Sequence, residues 1–123
     1  MAPITPYTEQ RPWGDFIEFT RNISSTVKII EVKKGQALSK QLHHLREEFW
    51  YVISGTGRAL VGNEEHPLSP GLHWFIPKEV EHRIEAIEDL RVLEIALGDA
   101  EENDIVRLED NYGRVDNSQT TTS

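Results

Sequence analysis

Turn signals interrupt this chain so often that little room is left for helices. Lys34-Gly35, Ser54-Gly55-Thr56-Gly57, Gly62-Asn63 and Ser69-Pro70-Gly71 each mark a change of direction. Among them lie Gly14–Thr20, Thr26–Val32, Phe49–Ile53, Arg58–Val61, His73–Ile76, His82–Ile87 and Leu90–Leu97, runs rich in β-branched and aromatic residues. Short strands spaced about ten residues apart, with Gly and Pro between them, predict an all-β sandwich or barrel. A helical period is absent apart from one turn expected near Glu101–Ile105.

The 123 residues suit a single domain, and the 37% that are hydrophobic suffice for one core. Pro3, Pro6 and Pro12 make the start of the chain an extended arm, drawn over residues 1–10. The domain is expected over 11–114, and the polar tail 115–123 is expected to be disordered. The first residues lack the basic stretch and apolar centre of a signal peptide, and no apolar run approaches the ~18 residues of a membrane span. Without a single cysteine, disulfides and thiolate chemistry are excluded. These features fit a cytoplasmic protein. The net charge of -8 argues against a nucleic-acid face, which needs a basic stripe. A small phosphorylated ligand needs only one or two well-placed arginines and stays open.

The chemistry concentrates between Gly35 and Gly55. Gln41 and His43 are two positions apart, so on a strand they share a face. Glu48 follows a short turn and opens the next strand beside them; at period two Trp50 and Val52 share its face, while Phe49, Tyr51 and Ile53 look the other way. His82 heads a further strand after Pro77-Lys-Glu-Val-Glu. Two imidazoles, a carboxylate and an amide oxygen form a set suited to one divalent ion, zinc first and manganese, iron or cobalt after it.

The spacing Gly35…Gln41-x-His43…Glu48…Gly55 is similar to the first motif of the cupins, with Gln where many have His, and Pro77…His82 is similar to the second. Arg11-Pro-Trp-Gly14, Gln41 to Trp50, and Asp104-Ile-Val-Arg-Leu-Glu-Asp-Asn-Tyr-Gly-Arg114 extend the likeness. Together they resemble the C-terminal cupin of type II phosphomannose isomerases, often fused to mannose-1-phosphate guanylyltransferase. The resemblance implies a double-stranded β-helix of jelly-roll type and the four-residue metal set Gln41, His43, Glu48 and His82. It also implies interconversion of mannose 6-phosphate and fructose 6-phosphate through a cis-enediol. A separate guanylyltransferase becomes a possible partner, since no such half is present in this sequence. Four positions depart from the family's pattern: Leu45 and Phe49 replace histidines, Glu79 replaces a Gly, and Ala96 stands where Gln is common.

The isomerase reading needs a base, for which Glu48 and Glu94 are the candidates, with Lys40 a weaker one. Glu94 sits opposite in parity to Leu93, Ile95 and Leu97, on a face that is either the barrel interior or solvent. Arg46, Arg114 and Arg11, in that order, are candidates to hold the phosphate; for Arg11 and Arg114 pairing with Asp15 or Asp110 is an equal reading. Trp50 shares the ligand face and is a candidate sugar contact, although packing explains both it and Trp13 more simply. His44 is expected on the surface or at an interface, His66 in a solvated loop, and His73 either against the pocket or in a structural role; Asp99–Asp104 reads as a solvated loop. Outward Phe49, Tyr51 and Ile53 suit a homodimer interface or a further layer of the same chain. Two other functions remain open: a metal-holding cupin that binds a sugar phosphate or nucleotide sugar without turnover, and a dioxygenase, against which Gln41 argues.

Overall fold

The computed structural model describes residues 4–98 and 105–114. Eleven strands are present among them and no helix. Strands β1 (Tyr7–Arg11) and β2 (Gly14–Glu18) form a hairpin of their own. One larger sheet has the order β3-β10-β5-β8, from Thr26–Val32, Leu90–Gly98, Arg46–Ser54 and His73–Ile76. The other has the order β11-β4-β9-β6-β7, from Val106–Glu109, Lys40–Leu42, His82–Ala86, Gly57–Val61 and Glu64–Leu68. The strands pair antiparallel throughout the described residues, and most neighbours are far apart in sequence.

The two sheets face each other over a shared core. Val52 and Val92 from one and Ala59 and Ile84 from the other are at most 1% exposed and belong to a single apolar cluster with Trp50, Leu68, Ile76 and Leu90. A second cluster lies on the outside of the four-stranded sheet, where Ile4 and Phe19 cover Phe49, Ile95 and Leu97. The strand parity read from the sequence therefore holds: Glu48, Trp50 and Val52 face in, and Phe49 faces out. Phe49 is only 1% exposed, however, so the N-terminal segment removes it from any interface with another molecule. The arm drawn over residues 1–10 likewise carries most of a hairpin strand, because Tyr7–Arg11 pairs along its whole length with Gly14–Glu18.

Besides β1, three strands escaped the sequence reading. β4 is only three residues long, while β7 carries Pro67 and two glutamates, and β11 follows the acidic run. His66, expected in a solvated loop, lies within β7, half-buried and stacked on Trp74 with ring centroids 4.2 Å apart. Pro67 is accommodated because β7 is an edge strand. The turn from β5 to β6 requires glycine: Gly55 has φ +87°, and a Cβ there would lie 2.0 Å from the Asp89 carbonyl oxygen. Residues 101–104 of the expected helical turn, residues 99–104 of the acidic loop and the tail 115–123 lie outside the described residues. No helix of the described residues is long and apolar enough to cross a membrane.

Candidate metal centre

Residues directly opposite each other in antiparallel strands project from the same face, so the pairing registers assemble the site. In the five-stranded sheet, Arg107 on β11 is opposite Gln41 on β4, which is opposite His82 on β9. In the four-stranded sheet, Lys28 on β3 is opposite Glu94 on β10, which is opposite Trp50 on β5. Both rows turn inward. Glu48 and Ala96 form the next row of the four-stranded sheet. His43 follows directly after β4, and its carbonyl accepts a 2.7 Å hydrogen bond from the Glu79 amide.

His43, Glu48 and His82 are each 2% exposed, and one ligand atom from each lies within 4.8 Å of the others. Glu48 is at the centre. Its Oε2 lies 3.1 Å from His43 Nε2 and accepts a 2.9 Å hydrogen bond from Arg46 Nε. Its Oε1 accepts from Trp50 Nε1 at 3.2 Å and lies 3.5 Å from His82 Nε2. Arg46, read as part of the turn, in fact opens β5 and is itself buried, with Nη2 3.1 Å from His43 Nε2.

These residues fit a divalent cation on an observation of their own. His82 Nδ1 lies 3.0 Å from the Val80 carbonyl, which fixes the proton on that nitrogen and leaves the Nε2 lone pair aimed inward. Nε2 is buried and has no hydrogen-bond partner. Burial pushes the His82 pKa down, against the opposing pull of Glu48, so the ring is held neutral as a metal ligand must be. Burial would raise the Glu48 carboxyl, but His43, His82 and Arg46 around it hold it down at about 2. Gln41 adds an amide oxygen in the adjoining position of the row, where it accepts a 3.2 Å hydrogen bond from Ser39 Oγ.

A cavity of about 220 Å³ adjoins the cluster, and Gln41, Arg46, Glu94, Arg107, Arg114 and Lys28 are among its lining residues. Glu94, for which interior and solvent were both open, faces this interior and is 6% exposed. Burial first, and the Glu48 charge second, raise its pKa to about 7. Glu48 and Glu94 thus carry opposite shifts within one site, the arrangement that separates a fixed anion from a group able to exchange a proton near neutrality.

The remaining candidates divide. Arg114 lines the cavity while its guanidinium grips Asp110 through bonds of 2.9 and 3.1 Å. Arg11 does not line it; it pairs with Glu9 and lies over the Phe16 ring in the hairpin. Trp50 is 1% exposed, edge-on to His82, and holds Glu48. Lys40 pairs with Glu81 at 3.4 Å. His44 is on the surface, 3.6 Å from Glu79, and exposed His73 packs on the outer face against Phe49 and Tyr51. Arg107 and Lys28 were missed by the sequence reading. For Lys28 no signal existed, since its neighbours Val27 and Ile29 are apolar and only the fold turns them outward. For Arg107 the strand itself went unrecognised.

Of the four departures from the family pattern, two touch the site. Ala96 is opposite Glu48 in register, so the amide common there is missing beside a ligand. Glu79 keeps the backbone its Gly counterpart would adopt, with φ +63°. Leu45 is 52% exposed in the turn before β5, and Phe49 faces away.

The model of the family "Mannose-6-phosphate isomerase C-terminal" matches residues 5–110. The mannose-1-phosphate guanylyltransferase ManC of Salmonella typhimurium is 39% identical over 108 residues, 85% of this chain and 22% of that protein. The xanthan biosynthesis protein XanB of Xanthomonas campestris is 40% identical over 107 residues, 85% of this chain and 23% of its own length. The chain therefore spans less than a quarter of these relatives. Among solved structures, a protein of Acidithiobacillus ferrooxidans assigned as a sugar phosphate isomerase superposes with a TM-score of 0.54 and 30% identity, covering 58% of this chain and 49% of that one. A cupin protein of Bacteroides fragilis superposes with a TM-score of 0.55 and 22% identity, covering 62% of this chain and 67% of its own, a likeness of fold. The barrel is a cupin, and by the extent of the match the chain belongs to the mannose-6-phosphate isomerase C-terminal family.

Proposed function

We propose that this chain is a metal-dependent mannose-6-phosphate isomerase. The observation that carries this reading is the placement of Glu94, with its pKa raised to about 7, in a cavity that adjoins the buried His43–Glu48–His82 cluster through Arg46, which lines the cavity and bonds Glu48. Gln41, His43, Glu48 and His82 would hold one divalent ion, with zinc the first choice. When bound, the ion supplies Lewis-acid polarisation of the sugar's carbonyl and hydroxyl oxygens. Glu94 moves the proton between C1 and C2, because a base with a pKa near the working pH is the efficient one. Glu48, ionised and hydrogen-bonded on both oxygens, suits a ligand better than a base. Arg46 and Arg114 border the cavity as phosphate contacts, and Trp50 orients Glu48 rather than stacking on the sugar.

The test is turnover of mannose 6-phosphate, with proton exchange at C2, by metal-loaded wild type beside His43→Ala and His82→Ala. Wild type turns over and both variants lose at least a hundredfold together with their metal. No turnover from a wild type that binds metal sinks the isomerase reading. That result would favour the second reading, a cupin that holds a sugar phosphate or nucleotide sugar without turnover, for which the missing amide at Ala96 speaks.

The proposal extends to a cytoplasmic enzyme of polysaccharide precursor supply, with a separate guanylyltransferase as a possible partner. A homodimer is proposed through exposed Val27, Ile29 and Ile53 on the outer face of the four-stranded sheet. Monomer mass in sedimentation equilibrium would remove it.

A further inference from the structure

The two inward rows end in cations. Lys28 is on β3 and Arg107 on β11, and each of these strands is the edge of its sheet. Both residues line the cavity, from opposite sheets, and Arg107 is 8% exposed. In a chain of net charge -8 this is a local reversal of sign. Lys28 is opposite Glu94 across β3 and β10, while Arg46 bonds Glu48 and Arg114 bonds Asp110. Among the described residues, four cations and one carboxylate, Glu94, line the cavity.

Separation points the same way. Arg107 lies two strands from His82, which at the ordinary strand spacing is ~10 Å between backbones. A six-carbon sugar whose carbonyl end meets the metal ligands carries its terminal phosphate to about that distance. A guanidinium offers the forked donors a phosphate monoester accepts, and a lysine on the facing sheet adds a point charge from the other side.

We infer that Arg107 and Lys28 form the phosphate-holding end of the cavity, gripping a terminal phosphate monoester between the two edge strands. This rests on the sugar-phosphate reading above and adds Arg107 and Lys28 to Arg46 and Arg114 as phosphate contacts, with Arg11 outside the cavity. The pair sets specificity: it favours a phosphorylated hexose over the free hexose and leaves the metal cluster untouched.

The experiment is calorimetric titration of the metal-loaded chain with mannose 6-phosphate, inorganic phosphate and mannose. Wild type, Arg107→Gln, Lys28→Gln and Arg58→Gln are compared, with metal affinity and thermal melting measured alongside. Arg58 serves as a control because it pairs with Glu85 on a different, exposed groove. Wild type is expected to bind mannose 6-phosphate at least tenfold more tightly than mannose. Arg107→Gln and Lys28→Gln should each lose about tenfold for mannose 6-phosphate, keep their metal affinity, and bind mannose as before; Arg58→Gln should match wild type. Weak binding of inorganic phosphate that is lost in the same two variants supports a site for the phosphate group itself. Should Arg107→Gln fail to fold, half-buried Lys28 decides. Unchanged affinity for mannose 6-phosphate in the folded variants overturns the inference, even if wild type is an isomerase. Anion binding lost in the variants of a wild type without turnover upholds the inference while the isomerase reading falls.

Discussion

The two ends of the barrel interior are built on the same strands and could hardly differ more. On β10, Val92 is fully buried in hydrocarbon, and two residues on Glu94 enters the cavity. On β5 the inward series runs Val52, Trp50, Glu48, Arg46; on β9 it runs Ala86, Ile84, His82. All the buried polar residues among those described, Ser39, His43, Arg46, Glu48, His82, Glu94 and Arg107, belong to the metal cluster or its cavity. Burying ionised groups is costly even when they are paired. The dry end supplies the favourable burial, about 1.5–3 kcal/mol for each fully enclosed aliphatic side chain, and the continuous strands hold the polar end at fixed geometry. Stability and chemistry therefore sit in separate halves of one core.

Glu48→Ala should produce the largest effect and tests whether the polar end tolerates loss of its centre. It leaves Arg46 and both imidazoles without their shared anion, so the metal-free protein should lose about 3–5 kcal/mol in urea unfolding, and metal binding should vanish. Ile84→Ala at the dry end should cost a similar ~2–5 kcal/mol by opening a cavity, yet leave metal affinity unchanged. If Ile84→Ala abolished metal binding while folded, the division of labour between the ends would be broken.

A medium effect concerns pH. Glu94 is raised from 4.5 to about 7, so between those values the folded state holds a proton that the unfolded chain has released. Glu94's contribution to the stability of the metal-free protein should therefore be greatest at the acid side of that window and fall as pH rises through it, against the opposite trend that the lowered His82 pKa adds. The loss should be on the order of 1–3 kcal/mol. Glu94→Gln should flatten this dependence and be the more stable protein above pH ~7, with turnover lost. A pH profile identical to that of wild type would place Glu94 outside the buried set.

The smallest expected change is at the turn before β9. Glu79 has φ +63°, where an L side chain is strained. Glu79→Gly should raise stability by less than about 1 kcal/mol, since relief of strain is partly offset by the freer unfolded chain. Its exposed contact with His44, at 3.6 Å, adds little. Destabilisation on thermal melting would show that the Glu79 side chain matters more than its backbone.

Parity along a strand is local, and the sequence alone carried it. Gln41, His43 and Glu48, with the face shared by Trp50 and Val52, were legible because successive side chains alternate by covalent geometry. The turns were legible for the same reason, since Gly55 needs a backbone that other residues resist. The short or acidic strands β4, β7 and β11 were not, because pairing partners far along the chain create them. Which face of Glu94 is buried, and whether Arg11 or Arg107 borders the cavity, also depended on registers such as Arg107–Gln41–His82. A register is a contact between distant segments, chosen by the packing of both sheets at once, and only the folded chain brings those segments together.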